Sequence, residues 1–188
     1  MMNEEEILDM FHRTGVIIAG GSGHYATREG FHSATLIRVG KALQFPPFNR
    51  KLAFEIVRHF LELDIHVVAA ASSESIPAAV EIGRQLEART IFADPADGTR
   101  LYDGFMIHAG ERVVIVQSLL RNDQGLEPLK RLVRKADARL IGVGSIVDVR
   151  ESRSSFTIRD VTAIRLPWEY FPAGDCPLCA AGSPVIDA

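Results

Sequence analysis

Apolar positions recur at two periods along the chain. Residues 3 to 13 set Ile7, Leu8, Met10 and Phe11 among acidic residues, the spacing of a short amphipathic helix whose carboxylate-rich first turn suits the helix dipole. The stretch GVIIAGGSGHYATREGFHSATLIRVG interrupts β-branched runs with glycines and predicts strands joined by a hairpin. PPFNRKLAFEIVRHFLEL opens on prolines, which a first helical turn tolerates, and aligns Leu52, Ala53, Ile56, Val57, Phe60 and Leu61 on one face; a helix is expected from about Phe48 to Leu63.

The pattern then changes to continuous apolar runs. IHVVAAA reads as a strand covered on both faces, SIPAAVEIGRQLE as a helix and RTIFA as a second strand. The unit repeats with RVVIV as strand, LEPLKRLVRKA as helix and ARLIGVGSIVDV as strand. Such alternation predicts an α/β fold: an open, mostly parallel sheet with helices on both faces, whose ligands sit beyond the carboxyl ends of the strands. Between the two units, DPADGTRLYDGFMIHAGE is polar, rich in turn formers and too long for a simple connection, and is a candidate active-site flap.

Composition narrows the function classes. With 188 residues the chain is expected to form one domain, in which residues 1–45 supply a helix and a hood hairpin, 46–166 the core sheet and helices, and 167–188 a C-terminal tail. A net charge of −3 gives no broad positive field, so no nucleic-acid partner is expected. The acidic start does not suit a secretory signal, and no run spans a bilayer, which predicts a cytoplasmic protein without a membrane partner.

The two cysteines, Cys176 and Cys179, form a C-x-x-C pair in DCPLC, half of the four-ligand set a structural Zn²⁺ usually wants. Two reduced thiols in a tail is the preferred reading, because the redox form of the motif normally opens a helix and Pro177 lies between these cysteines. A zinc shared between subunits is the alternative. His24 and His32 flank the hairpin, within reach of a ligand or metal, and are read first as polar edge residues.

The order and wording of these segments resemble bacterial orotate phosphoribosyltransferase, of the type I phosphoribosyltransferase family, over nearly the whole chain. GHYATREGFHSATLI is similar to the family's opening hairpin motif, and ARTIFAD, DGF, GERVVIV and the closing DCPLC follow in the family's order. The resemblance implies a homodimer that transfers ribose 5-phosphate from phosphoribosyl pyrophosphate to orotate with Mg²⁺, beneath a closing flap. Three loops carry that chemistry, and each departs from the family pattern here.

After the strand RVVIV, the family carries two adjacent acids and a Thr-Thr-Gly-Gly type loop. The acids bind the ribose hydroxyls near the developing positive charge, and the glycines let backbone N–H groups reach the 5-phosphate. Here the acid positions hold Gln117 and Ser118, and the loop is Arg121, Asn122, Asp123, Gln124 and Gly125. Asp123 and Glu127 are expected to cap the following helix and compete with a phosphate, with Gly125 as an alternative cap; Arg121 remains a candidate phosphate partner. In place of the family's glycine-rich pyrophosphate loop stand Ser72, Ser73, Glu74 and Ser75, where Glu74 opposes an anion and its bland reading is a solvated residue of the first helical turn. The flap lacks the family's lysine, leaving Arg100 as its cation.

Lys41 and Arg38 are candidates to face the same cleft from the next strand, His32 is a further ligand candidate, and Asp148 with Arg150 reads as a structural pair. The expectation is a phosphoribosyltransferase-like protein that binds a nucleotide, base or partner and is impaired in the standard transfer. An active enzyme acting on orotate or another base, in pyrimidine nucleotide metabolism, is the alternative.

Overall fold

A computed structural model describes residues 2–27, 30–94, 99–151 and 158–187. In chain order the elements are α1 (Glu4–Thr14), β1 (Ile17–Ala19), β2 (His24–Ala26), β3 (Phe31–Ser33), β4 (Thr35–Ile37), α2 (Gly40–Leu43), α3 (Pro46–Val57), β5 (Val67–Ala70), α4 (Ile76–Leu86) and β6 (Arg89–Phe92). They continue with β7 (Arg112–Leu120), α5 (Glu127–Lys135), β8 (Arg139–Asp148), β9 (Arg159–Arg165), β10 (Phe171–Pro172), α6 (Pro177–Ala180) and β11 (Val185–Asp187).

The core is a five-stranded sheet in the order β6-β5-β7-β8-β9, and every neighbouring pair in it is parallel. Alternation along the strands divides the apolar side chains between two faces, as a pleated backbone requires. Val68, Ala70, Val114 and Val116 join α1, α3 and α4 residues in one cluster, and Val67, Ala69, Val113 and Ile115 pack with Leu129 and Val133 of α5 in the other. The expected α/β architecture is therefore present. No helix among the described residues is long and apolar enough to cross a membrane.

Two element ends and the tail differ from the reading of the sequence. The helix expected to reach Leu63 ends at Val57, where His59 and Phe60 donate to carbonyls three residues back, at 3.1 and 2.8 Å. That tightening brings Phe60 over Gly142 of β8, where a Cβ would stand 2.8 Å from the phenyl ring. Gly144 likewise makes room for Ile56, since a Cβ there would stand 2.7 Å from its Cγ2. The strand predicted as RVVIV runs on to Leu120, because Leu119 and Leu120 bury themselves in the two opposite clusters. The tail is also no loose appendage: β10 and β11 flank the β2–β3 hairpin in a four-stranded sheet of order β10-β3-β2-β11.

Candidate functional site

The sheet has one switch point. From β5 the chain moves outward to β6 and then returns to the other side of β5 as β7, so the connections leaving β5 and β7 part and open a crevice at their carboxyl ends. A cavity of about 440 Å³ lies there, lined by Ser72, Ser73 and Glu74 from the β5 side, Gln117, Ser118, Leu119 and Arg121 from the β7 side, and Thr27, Leu36, Ile37 and Arg38 from the hood. A larger cavity of about 590 Å³, between α1, α3 and α4, is away from the strand ends, and its charged residues include the paired Asp9 and Arg13.

The floor is knitted by hydroxyls. Ser75 is fully buried; its Oγ accepts the Ser118 N–H at 2.8 Å and lies 2.7 Å from Ser72 Oγ. It also lies 3.4 Å from Gln117 Oε1. Ser75 thus joins the β5 turn to β7 and does not line the cavity, contrary to its place among the expected ligand-binding residues.

Glu74 is not simply solvated. One carboxylate oxygen accepts from Ser118 Oγ at 3.0 Å and the other from the Gly40 N–H, at the start of α2, at 2.9 Å. Ser118 itself is buried and Gln117 half-buried. At the two positions where the resemblance puts acids, β7 therefore presents an amide and a hydroxyl, and the carboxylate beside them comes from the opposite loop.

The turn after β7 departs from the expected capping. Asn122 Oδ1 accepts the Gln124 N–H at 3.0 Å, closing the turn locally. Neither Asp123 nor Gly125 caps α5: its cap position is Leu126, with no side-chain bond, and Gly125 has no neighbour within 4 Å of where a Cβ would stand. Asp123 is drawn instead to Arg150 at 2.8 Å, and Glu127 to Lys130 at 2.9 Å. Neither carboxylate lines the cavity, and Asn122, Gln124 and Gly125 do not line it either.

Asp148 and Arg150 form more than a pair. The Arg150 guanidinium, 6% exposed, reaches Asp148 at 2.8 Å, Asp160 at 2.7 Å and Asp123 at 2.8 Å, while Arg165 also binds Asp148. Burial alone would push the Asp148 carboxyl up, but hydrogen bonds from the Arg150 side chain and N–H, with the charges of Arg150 and Arg165, hold it below its ordinary value. Asp160 was missed in the sequence because only its place in β9, next to β8, brings it to this cluster.

The remaining candidates divide. Arg121 lines the cavity, as does Arg38. Lys41 lies on α2 and not on a strand, and lines an adjoining hollow with Arg38 and Glu74. Arg100 does not line the cavity; it pairs with Asp94 at 2.8 Å, and residues 95–98 of the flap lie outside the described residues. His32, Cys176 and Cys179 converge with His24 at another place, away from the cavity lining. Thr27, Leu36 and Ile37 carry no chemical signature in the sequence; only the folded hood brings them to the site.

The parallel sheet with its ligand cleft at the switch point is the fold of the type I phosphoribosyltransferases. Orotate phosphoribosyltransferase from Aeropyrum pernix superposes with a TM-score of 0.64 at 15% identity, over 84% of this chain and 92% of that one. UMP synthase from Leishmania donovani superposes with a TM-score of 0.68 at 16% identity, over 86% of this chain and 36% of that one. No family model matches the chain. In sequence, orotate phosphoribosyltransferase of Thermoanaerobacter sp. (strain X514) is 31% identical over 186 residues, covering 98% of this chain and 96% of its own length. The chain belongs to the orotate phosphoribosyltransferase family.

Proposed function

We propose that the cavity binds a small phosphoribosyl ligand, a nucleotide or phosphoribosyl pyrophosphate, and that transfer of the ribose phosphate is impaired in this chain. The observation that carries this reading is the end of β7, where Gln117 and Ser118 occupy the positions of the family's acid pair and supply no charge. A hydroxyl and an amide still hydrogen-bond a ribose, but they give no electrostatic support to positive charge growing on the sugar. Arg38 and Arg121 provide cations for an anionic group, Arg121 with the planar fork that suits phosphate oxygens.

Magnesium fits poorly as a group held by the protein alone. Among the described residues lining the cavity Glu74 is the one carboxylate, and both of its oxygens already accept hydrogen bonds. Mg²⁺ often binds through one or two carboxylates with substrate phosphates completing the shell, so here it would arrive with the ligand.

One observation favours an active enzyme instead: the Glu74 carboxylate, 3.0 Å from Ser118 Oγ, sets a negative charge beside the position the second acid would hold. Calorimetric titration with phosphoribosyl pyrophosphate and Mg²⁺ tests the binding. Arg121→Ala should weaken the affinity roughly ten- to a hundredfold, the loss of one charge-assisted contact of about 1.5–3 kcal/mol. No binding to the unaltered chain, or equal binding to both proteins, would refute the assignment of the cavity.

A further inference from the structure

We propose that His24, His32, Cys176 and Cys179 form a structural zinc site within a single chain. The four ligand atoms lie within 4.8 Å of one another. His24 Nε2 is 3.1 Å from His32 Nδ1, and Cys179 Sγ is 3.2 Å from His32 Nδ1 and 3.3 Å from His24 Nε2. A tetrahedron with zinc–nitrogen bonds of about 2.05 Å and zinc–sulfur bonds of about 2.3 Å has edges of roughly 3.3 to 3.8 Å. The three measured edges are close to that range. A hydrogen bond points at one partner, so three atoms in mutual contact cannot all be satisfied by straight hydrogen bonds; a cation at their centre satisfies every lone pair at once.

The elements explain the convergence. In the β2–β3 pair Tyr25 lies opposite Ser33 and Ala26 opposite His32, which makes His24 and His32 diagonal neighbours on one face. Cys176 is the cap residue of α6 and Pro177 opens the helix, so the cysteines bracket one short turn. Pro177 therefore does not keep the motif from a helix, and one chain brings all four residues together. His24, far from being an edge residue, is fully buried, and its Nδ1 lies 3.1 Å from Ser183 Oγ, the kind of outer partner that fixes a ligand's tautomer.

Packing gives the site a task. Among residues 167–187 only Cys176 is buried, and the buried residues of β2 and β3 are His24 and Ser33. The four-stranded sheet joining the two ends of the chain thus has a polar centre where others have an apolar one. Four strands of two or three residues around such a centre bury too little apolar surface to hold themselves, and a metal clip is the usual remedy. Two thiolates and two neutral imidazoles in a tetrahedral set select zinc, and the thiol protons leave to solvent as Zn²⁺ binds, giving a neutral centre. Because Thr27, just beyond β2, lines the ligand cavity, the clip also steadies one wall of the cleft.

The test is metal analysis of the full chain, purified under reducing conditions without chelator. About one zinc per chain is expected, and Co²⁺ exchanged into the protein should show the intense visible bands of a tetrahedral site with thiolate charge transfer. Ser183→Ala should fold and lower zinc affinity by roughly 10- to 100-fold. Cys179→Ser should lose the cobalt charge-transfer intensity in proportion to the sulfur removed. Zinc well below stoichiometry, or cobalt bound without thiolate bands, would overturn the proposal. These readouts do not depend on what the cleft binds, so they stand or fall apart from the ligand assignment.

Discussion

Replacing Arg150 with methionine should destabilise the protein by about 3–5 kcal/mol, the usual cost of removing one partner from a buried ion pair. The guanidinium faces three carboxylates, and Asp148 is 1% exposed. Without the Arg150 side chain, Asp148 keeps Arg165 and the backbone N–H of residue 150, and faces burial that favours its neutral form. Domains are stable by roughly 5–15 kcal/mol, so the loss should be plain in urea denaturation, and Asp148→Asn added to Arg150→Met should recover part of it. The pH dependence follows from the sign of the shift. The folded-state value of Asp148 is depressed, so its stabilisation is complete above the unfolded value of about 3.9 and disappears as pH falls through the folded value. In Arg150→Met this acid-induced loss should shrink or reverse, because without the guanidinium the folded value of Asp148 moves up toward or past the unfolded one. An unchanged midpoint at neutral pH would show that this cluster does not hold β7, β8 and β9 together.

Phe60→Ala should cost about as much, roughly 3–5 kcal/mol, because it empties a fully buried site whose floor is a glycine that cannot move in to fill it. The reciprocal change tests the same contact. Gly142→Ala would place a Cβ 2.8 Å from the Phe60 ring and 2.8 Å from the Arg159 carbonyl, and should cost about 1–3 kcal/mol. If the two faces meet as described, the double variant should differ from the sum of the single losses. Additive losses in chemical denaturation would mean that Phe60 and Gly142 do not share a boundary.

The fold was legible because its signals are local. Continuous runs such as Val67–Ala70 and Val113–Val116 are buried on both faces, and the alternation of strands with helices leaves few arrangements to choose among. Boundaries were less legible where tertiary contacts decide them. Leu119 and Leu120 extend β7 because two cores await them, and Phe60 leaves the helix because Gly142 offers a seat. The site was read in part. Ser72, Ser73, Glu74, Gln117, Ser118 and Arg121 come together as the strand-end rule requires. Asp123 was misread because nothing nearby in sequence signals that a guanidinium 27 residues on will claim it. The sequence offers Cys176 and Cys179 as half a zinc set and His24 and His32 as residues within reach of a metal, but not their convergence: the two pairs stand near opposite ends of the sequence, and only the pairing of β10 and β11 with the hairpin unites them.

The most direct test of the cleft is the initial rate of orotate consumption by the unaltered chain with saturating phosphoribosyl pyrophosphate and Mg²⁺. Losing one preorganised electrostatic contact costs roughly 10²–10³ in rate, so two uncharged residues in place of the acid pair predict turnover at least about 10³-fold below the ordinary 1–10³ per second. Binding of the phosphoribosyl ligand without appreciable turnover is the expected result. Turnover in the ordinary range would contradict it and would give Glu74 the role that Gln117 and Ser118 lack.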